Sequence, residues 1–371
     1  MTRLKRIAFL SIAYLVPAVV PAMLPAAWAE TLTFSFVGDI MAHTVNFQMP
    51  EYDRIYDDVR DLLQEDDASF ANLEFPIDEN APYATYPRFN VHRPYVEAAI
   101  RGGFDIFSLA NNHSTDRFAG GVTATLDAAA ALSEEHGVLF SGLRRSADDG
   151  WQLEVIPFGE TTVGFVAFTQ FLNDPWNGAE LVYLADYRNS DSRTALLEAV
   201  AGWDSECDIL VVSYHAGVEY VVDPDPGKGA FLRDMVAAGA DVVWSHHPHV
   251  LQPWELLEGP DGGDKLVLYS LGNFISGQTW RLSPGDYARR RAFTGDTAVV
   301  QVALHADARR STVVEVRPHL VSTVNDRVAG PMVRELPVLV AEHPEESWRR
   351  FFYHRSRDVG PYPSGGRMRV R

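Results

Sequence analysis

Five of the twelve histidines fall in three short stretches: His113, His215, and the group His246, His247 and His249. Each stretch follows an apolar run, and so do Asp39, Glu74 and Asn112. A structural histidine usually stands alone, satisfied by one hydrogen bond. Imidazoles gathered with carboxylates and an amide at matching positions read instead as a metal centre. Imidazole suits Zn, Fe, Ni and Cu, while carboxylate and amide oxygens also admit Mn and Mg. The single cysteine, Cys207, lies outside the set. A thiolate zinc cage is therefore excluded, and mixed nitrogen and oxygen ligands on loops are the catalytic style. Asn111-Asn112-His113 would make a poor core, which favours a chemical role. In His247-Pro248-His249, alternate residues of an extended segment project to one side, so both rings can reach one centre. Cys207, just before the apolar run 209–212, reads as a small core or strand-edge residue.

The elements that must position these residues follow from hydrophobic pattern. The apolar runs 32–37, 68–71, 104–110, 209–214, 240–244 and 265–269 are short enough to be buried strands. They end in Gly38-Asp39, Asn72-Leu73-Glu74, Asn111-Asn112-His113, His215, Ser245 to His249, and Ser270 to Asn273. Helical spacing lies between them. Ile55, Val59, Leu62 and Leu63 share one face, and Pro94 opens a helix that Gly102-Gly103 closes. Val122, Leu126, Ala129 and Leu132 repeat before a stop at Gly137. Ser192 is placed to cap a helix through Leu196, Leu197 and Val200. Phe231, Leu232, Met235 and Val236 line another that ends near Gly239. Alternating strands and helices predict an α/β fold, in which ligands gather beyond the carboxyl ends of the strands. Hairpins are expected over 153–168, around Gly159-Glu160, and over 298–316. Residues 251–297 are expected to be loops around a strand.

Residues 1–29 read as a secretory signal peptide. Arg3, Lys5 and Arg6 precede an apolar run, and Ala27-Trp28-Ala29 forms a small-x-small cleavage site before Glu30. An uncleaved anchor is the alternative, weakened by Pro17, Pro21 and Pro25. Residues 30–357 then form the folded domain, and 358–371 a disordered basic tail. The net charge of −18 disfavours nucleic acid and anionic lipid as partners.

The stretches Gly38-Asp39-Ile40-Met41, Asn72-Leu73-Glu74, Tyr86-Pro87-Arg88-Phe89-Asn90, Ala110-Asn111-Asn112-His113, His246-His247-Pro248-His249-Val250 and Tyr269-Ser270-Leu271-Gly272-Asn273-Phe274 resemble the CapA family of capsule and poly-γ-glutamate synthesis proteins. The resemblance runs in order from about Phe34 to Gly277. That family is similar to the calcineurin-like metallophosphoesterases. The resemblance implies a four-layer αββα sandwich with two central mixed β-sheets and two divalent ions (Mn, Fe or Zn) at the strand ends. It implies Asp39 and His249 on one ion, Asn112, His215 and His247 on the other, Glu74 bridging, and His113 as general acid in two-metal hydrolysis. Three positions depart from the phosphoesterase pattern. Met41 stands where a histidine is usual, leaving His43 as a possible substitute. Glu74 stands where an aspartate is usual, and Ala216 where a tryptophan is frequent. Arg88 could bind an anionic substrate or be ion-paired at the surface, and Arg93 ranks beside it. Glu219 could orient a ligand histidine. The implied function is an exported metal-dependent hydrolase of capsule, poly-γ-glutamate or cell-envelope polymer metabolism. It would act on an anionic polymer or phosphoester, beside membrane proteins of polymer synthesis. The alternative is a non-catalytic assembly or transport factor for such a polymer.

Overall fold

The computed structural model describes residues 30–307, 311–358 and 368–369. The first three predicted strands form β1 (Glu30–Ile40), β2 (Ala68–Leu73) and β3 (Ile106–Ser108), and β4 (Leu139–Ser141), which the sequence pattern did not predict, follows them. The first hairpin is β5 (Glu154–Phe158) and β6 (Thr161–Thr169), followed by β7 (Ile209–His215) and β8 (Val242–His246). Then come β9 (Trp254–Glu258), β10 (Asp264–Leu268), β11 (Asn273–Ile275), β12 (Asp296–Ala306), β13 (Ser311–Asp326) and β14 (Gly330–Glu335). One sheet has the order β14-β13-β12-β1-β2-β3-β4, with β11 beside β1 and Met368–Arg369 against β13. The other has the order β5-β6-β7-β8-β10-β9.

Both sheets are mixed. β1 to β4 run parallel, as do β6, β7, β8 and β10 and the short β1–β11 pair, while the other pairs are antiparallel. Parallel strands need covered faces, and here helices supply the cover. Arg93–Gly102 and Phe118–His136 bury Val96, Ala99, Val122 and Leu132 in the core cluster of the first sheet. Ser190–Trp203 and Pro226–Ala237 bury Leu196, Val200, Phe231 and Met235 against Val212, Tyr214 and Val243 of the second. Between the sheets Phe36 stacks on Phe70 at 4.7 Å, and Phe70 meets Phe165 edge-on at 5.5 Å. Trp244 Nε1 crosses the interface to donate to the Val37 carbonyl at 2.9 Å. The result is a four-layer αββα sandwich with two mixed sheets, as the family resemblance implied.

Several local expectations change. The helix over 190–203 is capped by Asn189, whose side chain accepts from the Ser192 N–H; Ser192 is already inside the first turn. Residues 52–64 break into the 3-10 turn Tyr52–Ile55 and the short helix Arg60–Gln64 rather than one helix. The 251–297 region holds β9 and β11 as well as β10. The helices Leu336–Glu342 and Glu346–Asp358 had no counterpart in the sequence reading. Cys207 is half-buried with its sulfur against the Trp203 carbonyl, and burial pushes its thiol up to about 12, so it is held as an unreactive thiol. Among the described residues no helix is long and apolar enough to cross a membrane. The signal stretch 1–29 and most of the tail lie outside the described residues; within the tail, Met368–Arg369 pairs with β13.

Candidate metal centre

Parallel β1, β2 and β3 end on the same side as parallel β7 and β8, and that shared edge gathers the polar residues. At its end β1 changes neighbours. It pairs with β12 up to Phe36 and with β11 from Asp39. The register against β2 shifts between these two points, a bulge that re-aims the following side chain. Only glycine fits at the shift, because a Cβ on Gly38 would lie 1.9 Å from the Gly272 carbonyl oxygen. Asp39, which follows, is fully buried and faces the neighbouring strand ends.

Glu74 lies at the middle of the cluster. Its Oε1 is 3.7 Å from His249 Nε2, 3.9 Å from His113 Nε2 and 4.0 Å from His215 Nε2. On one side Asn112 Oδ1, His215 Nε2 and His247 Nδ1 converge, at 2.8 Å and 3.2 Å from the central His215 nitrogen. On the other, Asp39 Oδ1 accepts from Asn72 Nδ2 at 2.8 Å and lies 3.4 Å from His246 Nδ1, while Asp39 Oδ2 lies 3.2 Å from His249 Nδ1. Two triplets can each close on one ion: Glu74 with His247 and His249, and Asp39 with Glu74 and His215.

His247 and His249 get there by a route other than the expected one. They do not alternate along an extended segment. Both sit in the left-handed region, with φ of 94° and 57°, on either side of Pro248. Such backbone costs on the order of 1–3 kcal/mol per residue and persists where the surroundings enforce it. The turn still brings the rings to 5.7 Å of one another.

Charge balance suits a cation. Burial, and next the Asp39 carboxylate, raise the Glu74 carboxyl well above its ordinary value. Burial acts upward on Asp39 too, but the neighbouring His246 and His249 rings outweigh it and hold that carboxyl well below its ordinary value. Burial, reinforced by the neighbouring imidazoles, holds His215 and His247 well below the usual imidazole range. These rings are therefore neutral, the form that ligates metal. Among the described residues both Glu74 oxygens, Asp39 Oδ2, Asn72 Oδ1 and both His246 nitrogens are buried without a hydrogen-bond partner. Buried carboxylate oxygens left unpaired are costly, and one cation or two would satisfy them. The residues present therefore fit divalent ions.

Supporting contacts set which nitrogen faces inward. Asn273 donates its amide hydrogens to Ser276, Gln278 and the Thr294 carbonyl. That turns its oxygen to His249 Nδ1 at 2.9 Å and leaves His249 Nε2 facing Glu74, the pattern by which ligand histidines are held. His113 Nδ1 pairs with Asp116 Oδ2 at 2.7 Å, so its Nε2 faces the cluster. Asp116 itself accepts from the Phe89 N–H at 2.7 Å. Sequence reasoning counted His246 in the histidine cluster without naming it as a ligand, and gave no role to Asn72, Asn273 or Asp116. The spacing of His113 and Asp116, three apart, was the one available signal for a pairing. The amides carry none, because their partners are far away in the chain.

His43 is beside the cluster but in neither triplet. Its Nδ1 accepts from the Gly277 N–H at 3.2 Å and its ring meets Phe89 edge-on. Burial, then the nearby His249 and His113, lower it to about 4. Glu219 stands at the mouth, partly exposed, with Oε1 4.0 Å from His249 Nε2. Arg88 is half-exposed and pairs with Asp174 at 2.5 Å. Arg93 is engaged elsewhere, with Glu97 at 3.4 Å and with Glu135 on the outer helices.

A family model described as "Bacterial capsule synthesis protein PGA_cap" matches residues 33–278, the span that holds every residue of the cluster. The chain is 29% identical over 266 residues to the capsule biosynthesis protein CapA of Bacillus anthracis, covering 68% of this chain and 61% of that protein. It is 27% identical over 291 residues to the PGA biosynthesis protein CapA of Bacillus subtilis, covering 74% of this chain and 72% of the relative. The chain thus spans less than two thirds of the length of the first of these. A hypothetical protein from Thermus thermophilus aligns in structure with a TM-score of 0.43 at 19% identity, over 78% of this chain and 98% of that one. With the matched span covering most of the chain and the strand-end cluster lying within it, this protein belongs to the bacterial capsule synthesis (PGA_cap) family.

Proposed function

We propose that the protein is an exported, metal-dependent hydrolase of the phosphoesterase type that acts in capsule or poly-γ-glutamate metabolism. The observation that carries this reading is the Glu74 carboxylate. It is fully buried, has no hydrogen-bond partner among the described residues, and is ringed by His113, His215 and His249. Glu74, shared by both, would hold one divalent ion with His247 and His249 and the other with Asp39 and His215, with Asn112 and His246 beside them. Bound there, such ions supply Lewis acidity and an activated water for attack on phosphorus. The chain's own part is orientation and proton transfer. Asp116 fixes the His113 ring, and His113 Nε2 delivers a proton to the departing oxygen. Glu219 and Arg88 stand at the mouth, where an anionic substrate enters.

The names of the relatives favour a place in capsule polymer production, and they equally suit the second reading, a non-catalytic assembly or transport factor. The His113–Asp116 pair favours catalysis. A purely structural ion has no use for an oriented imidazole beside its ligands. Elemental analysis of the purified protein should find close to two transition-metal ions per chain, with turnover of a generic aryl phosphate. Protein that stays metal-free after reconstitution would sink the reading. Metal without turnover of any phosphoester would favour the assembly factor.

Export rests on residues 1–29. N-terminal sequencing of the native protein is expected to begin at Glu30, in material from outside the cytoplasmic membrane. An intact Met1 in a cytosolic fraction would overturn that part of the proposal.

A further inference from the structure

Beside His113 the surface carries an unusual group of exposed rings. Tyr86 is 66% exposed, Trp176 89% and Phe118 39%. Large aromatic side chains are usually largely buried, and a rimmed apolar patch next to a cleft marks a contact site. The Tyr86 ring lies 6.5 Å from His113, and Phe89 packs against both. Arg88 holds its guanidinium 4.9 Å over the Phe118 ring. Phe118 itself sits at a φ of 60°, a strained backbone for a bulky residue. Trp176 is carried on a segment that adjoins this rim, residues 173–178, which are laid along 112–119. The Asn173 N–H donates to the Asn112 carbonyl at 2.8 Å, and its side-chain amide is 3.4 Å from His113 Nε2. Thr115 Oγ1 donates to the Asp174 carbonyl at 2.9 Å, and the Ala119 N–H reaches Asn177 Oδ1 at 3.4 Å. Trp176 lies between these two anchors in the chain.

We propose that this rim is the leaving-group subsite, and that it takes a substrate whose leaving alcohol carries a ring with a flat face. The inference rests on His113 being the acid of the proposed hydrolase. If His113 protonates the departing oxygen, whatever is attached to that oxygen extends outward past His113. There it meets Tyr86, Trp176 and Phe118. Nucleobases stack on such faces with useful affinity, and a pyranose ring offers them an apolar face of its own. Arg88, half-exposed and held by Asp174, adds a guanidinium for an anionic substituent on the ring. A poly-γ-glutamate chain has no ring and would leave these faces unused, so the subsite points to a ring-bearing phosphoester as the substrate class.

The test compares three phosphomonoesters on the metal-loaded protein: uridine 5′-monophosphate, glucose 1-phosphate and ring-less glycerol 2-phosphate. The parent is expected to favour a ring-bearing ester in kcat/KM, and the preferred one identifies the ring as base or sugar. Trp176→Ala and Tyr86→Ala should each lower that preference about tenfold, mainly through KM, with metal content unchanged as the check on folding. An equal preference in parent and variants would overturn the subsite. If no ester is hydrolysed, the hydrolase reading falls by itself, and calorimetric titration with the same three compounds reads the subsite separately. Ring-dependent binding that Trp176→Ala abolishes supports it, and binding indifferent to the ring overturns it.

Discussion

His113→Ala is expected to lower the hydrolysis rate about a hundred- to ten-thousand-fold while leaving the bound metal in place. The two effects separate because the ring is near the ligands without being tied to them. Its Nδ1 is committed to Asp116, and its Nε2 is 3.9 Å from Glu74 Oε1. The donors on the other side of Glu74 do not touch it: Asn112 Oδ1 meets His215 Nε2 at 2.8 Å, and His247 Nδ1 meets the same atom at 3.2 Å. His215→Ala removes the nitrogen on which those two contacts converge, and should lose metal together with turnover. The measurement is metal content and rate for both variants beside the parent. Equal loss of metal in the two would refute the division of roles. A parent inactive on every ester, with His113→Ala still supporting polymer production in cells, would leave the assembly-factor reading standing.

The second large effect is on stability. Arg355, in the C-terminal helix Glu346–Asp358, is fully buried with its Nε 2.7 Å from Asp296 Oδ2. Its guanidinium also lies 3.7 Å from the centre of the Phe293 ring. Removing one member of a buried ion pair strands the other and costs about 3–5 kcal/mol. Arg355→Ala should therefore lower the free energy of unfolding by about that much, read from denaturant midpoints. Asp296→Asn combined with Arg355→Met should cost less than the single change, because no charge is left unpaired. A loss below about 1 kcal/mol for Arg355→Ala, the worth of an exposed pair, would show that the pair is not holding the helix. The helix matters to the site through β12, at whose start Asp296 lies. Next to it, Thr297 Oγ1 donates to the Leu271 carbonyl at 2.5 Å, and the Thr294 carbonyl accepts from Asn273. Asn273 in turn sets the His249 ring.

That coupling shows why some of the site was legible in the chain and some was not. A strand end is a local event. An apolar run stops, a polar residue follows, and the parallel fold sends all such ends to one edge. Asp39, Glu74, Asn112, His215, His247 and His249 could be placed together on that basis and on the family resemblance, and the structure brings them together. His43 could not be judged the same way. Its four-residue spacing from Asp39 says nothing about the Gly277 N–H that its ring nitrogen meets across the fold.

Helix positions were legible where apolar spacing was regular, as over Phe118–His136, whose stop at Gly137 has a left-handed φ of 72°. They were less so where short polar residues compete for the cap, as with Asn189 and Ser192. The last two helices escaped notice because they bury mainly Leu336, Leu339, Phe351 and Phe352 against Leu282 and Ala292. That small patch gives little periodic signal.

By itself, then, the sequence determined the residue types of the centre, the strand ends that carry them and the α/β class, since each depends on patterns only a few residues long. Tertiary structure alone decided the left-handed turn at His247 and His249 and the bulge at Gly38. It also decided the pairing of His113 with Asp116, the amides that set the rings, and the exposed rim of Tyr86, Phe118 and Trp176. Each of these depends on a contact between distant segments, whose free energy is realised only once the two sheets have packed.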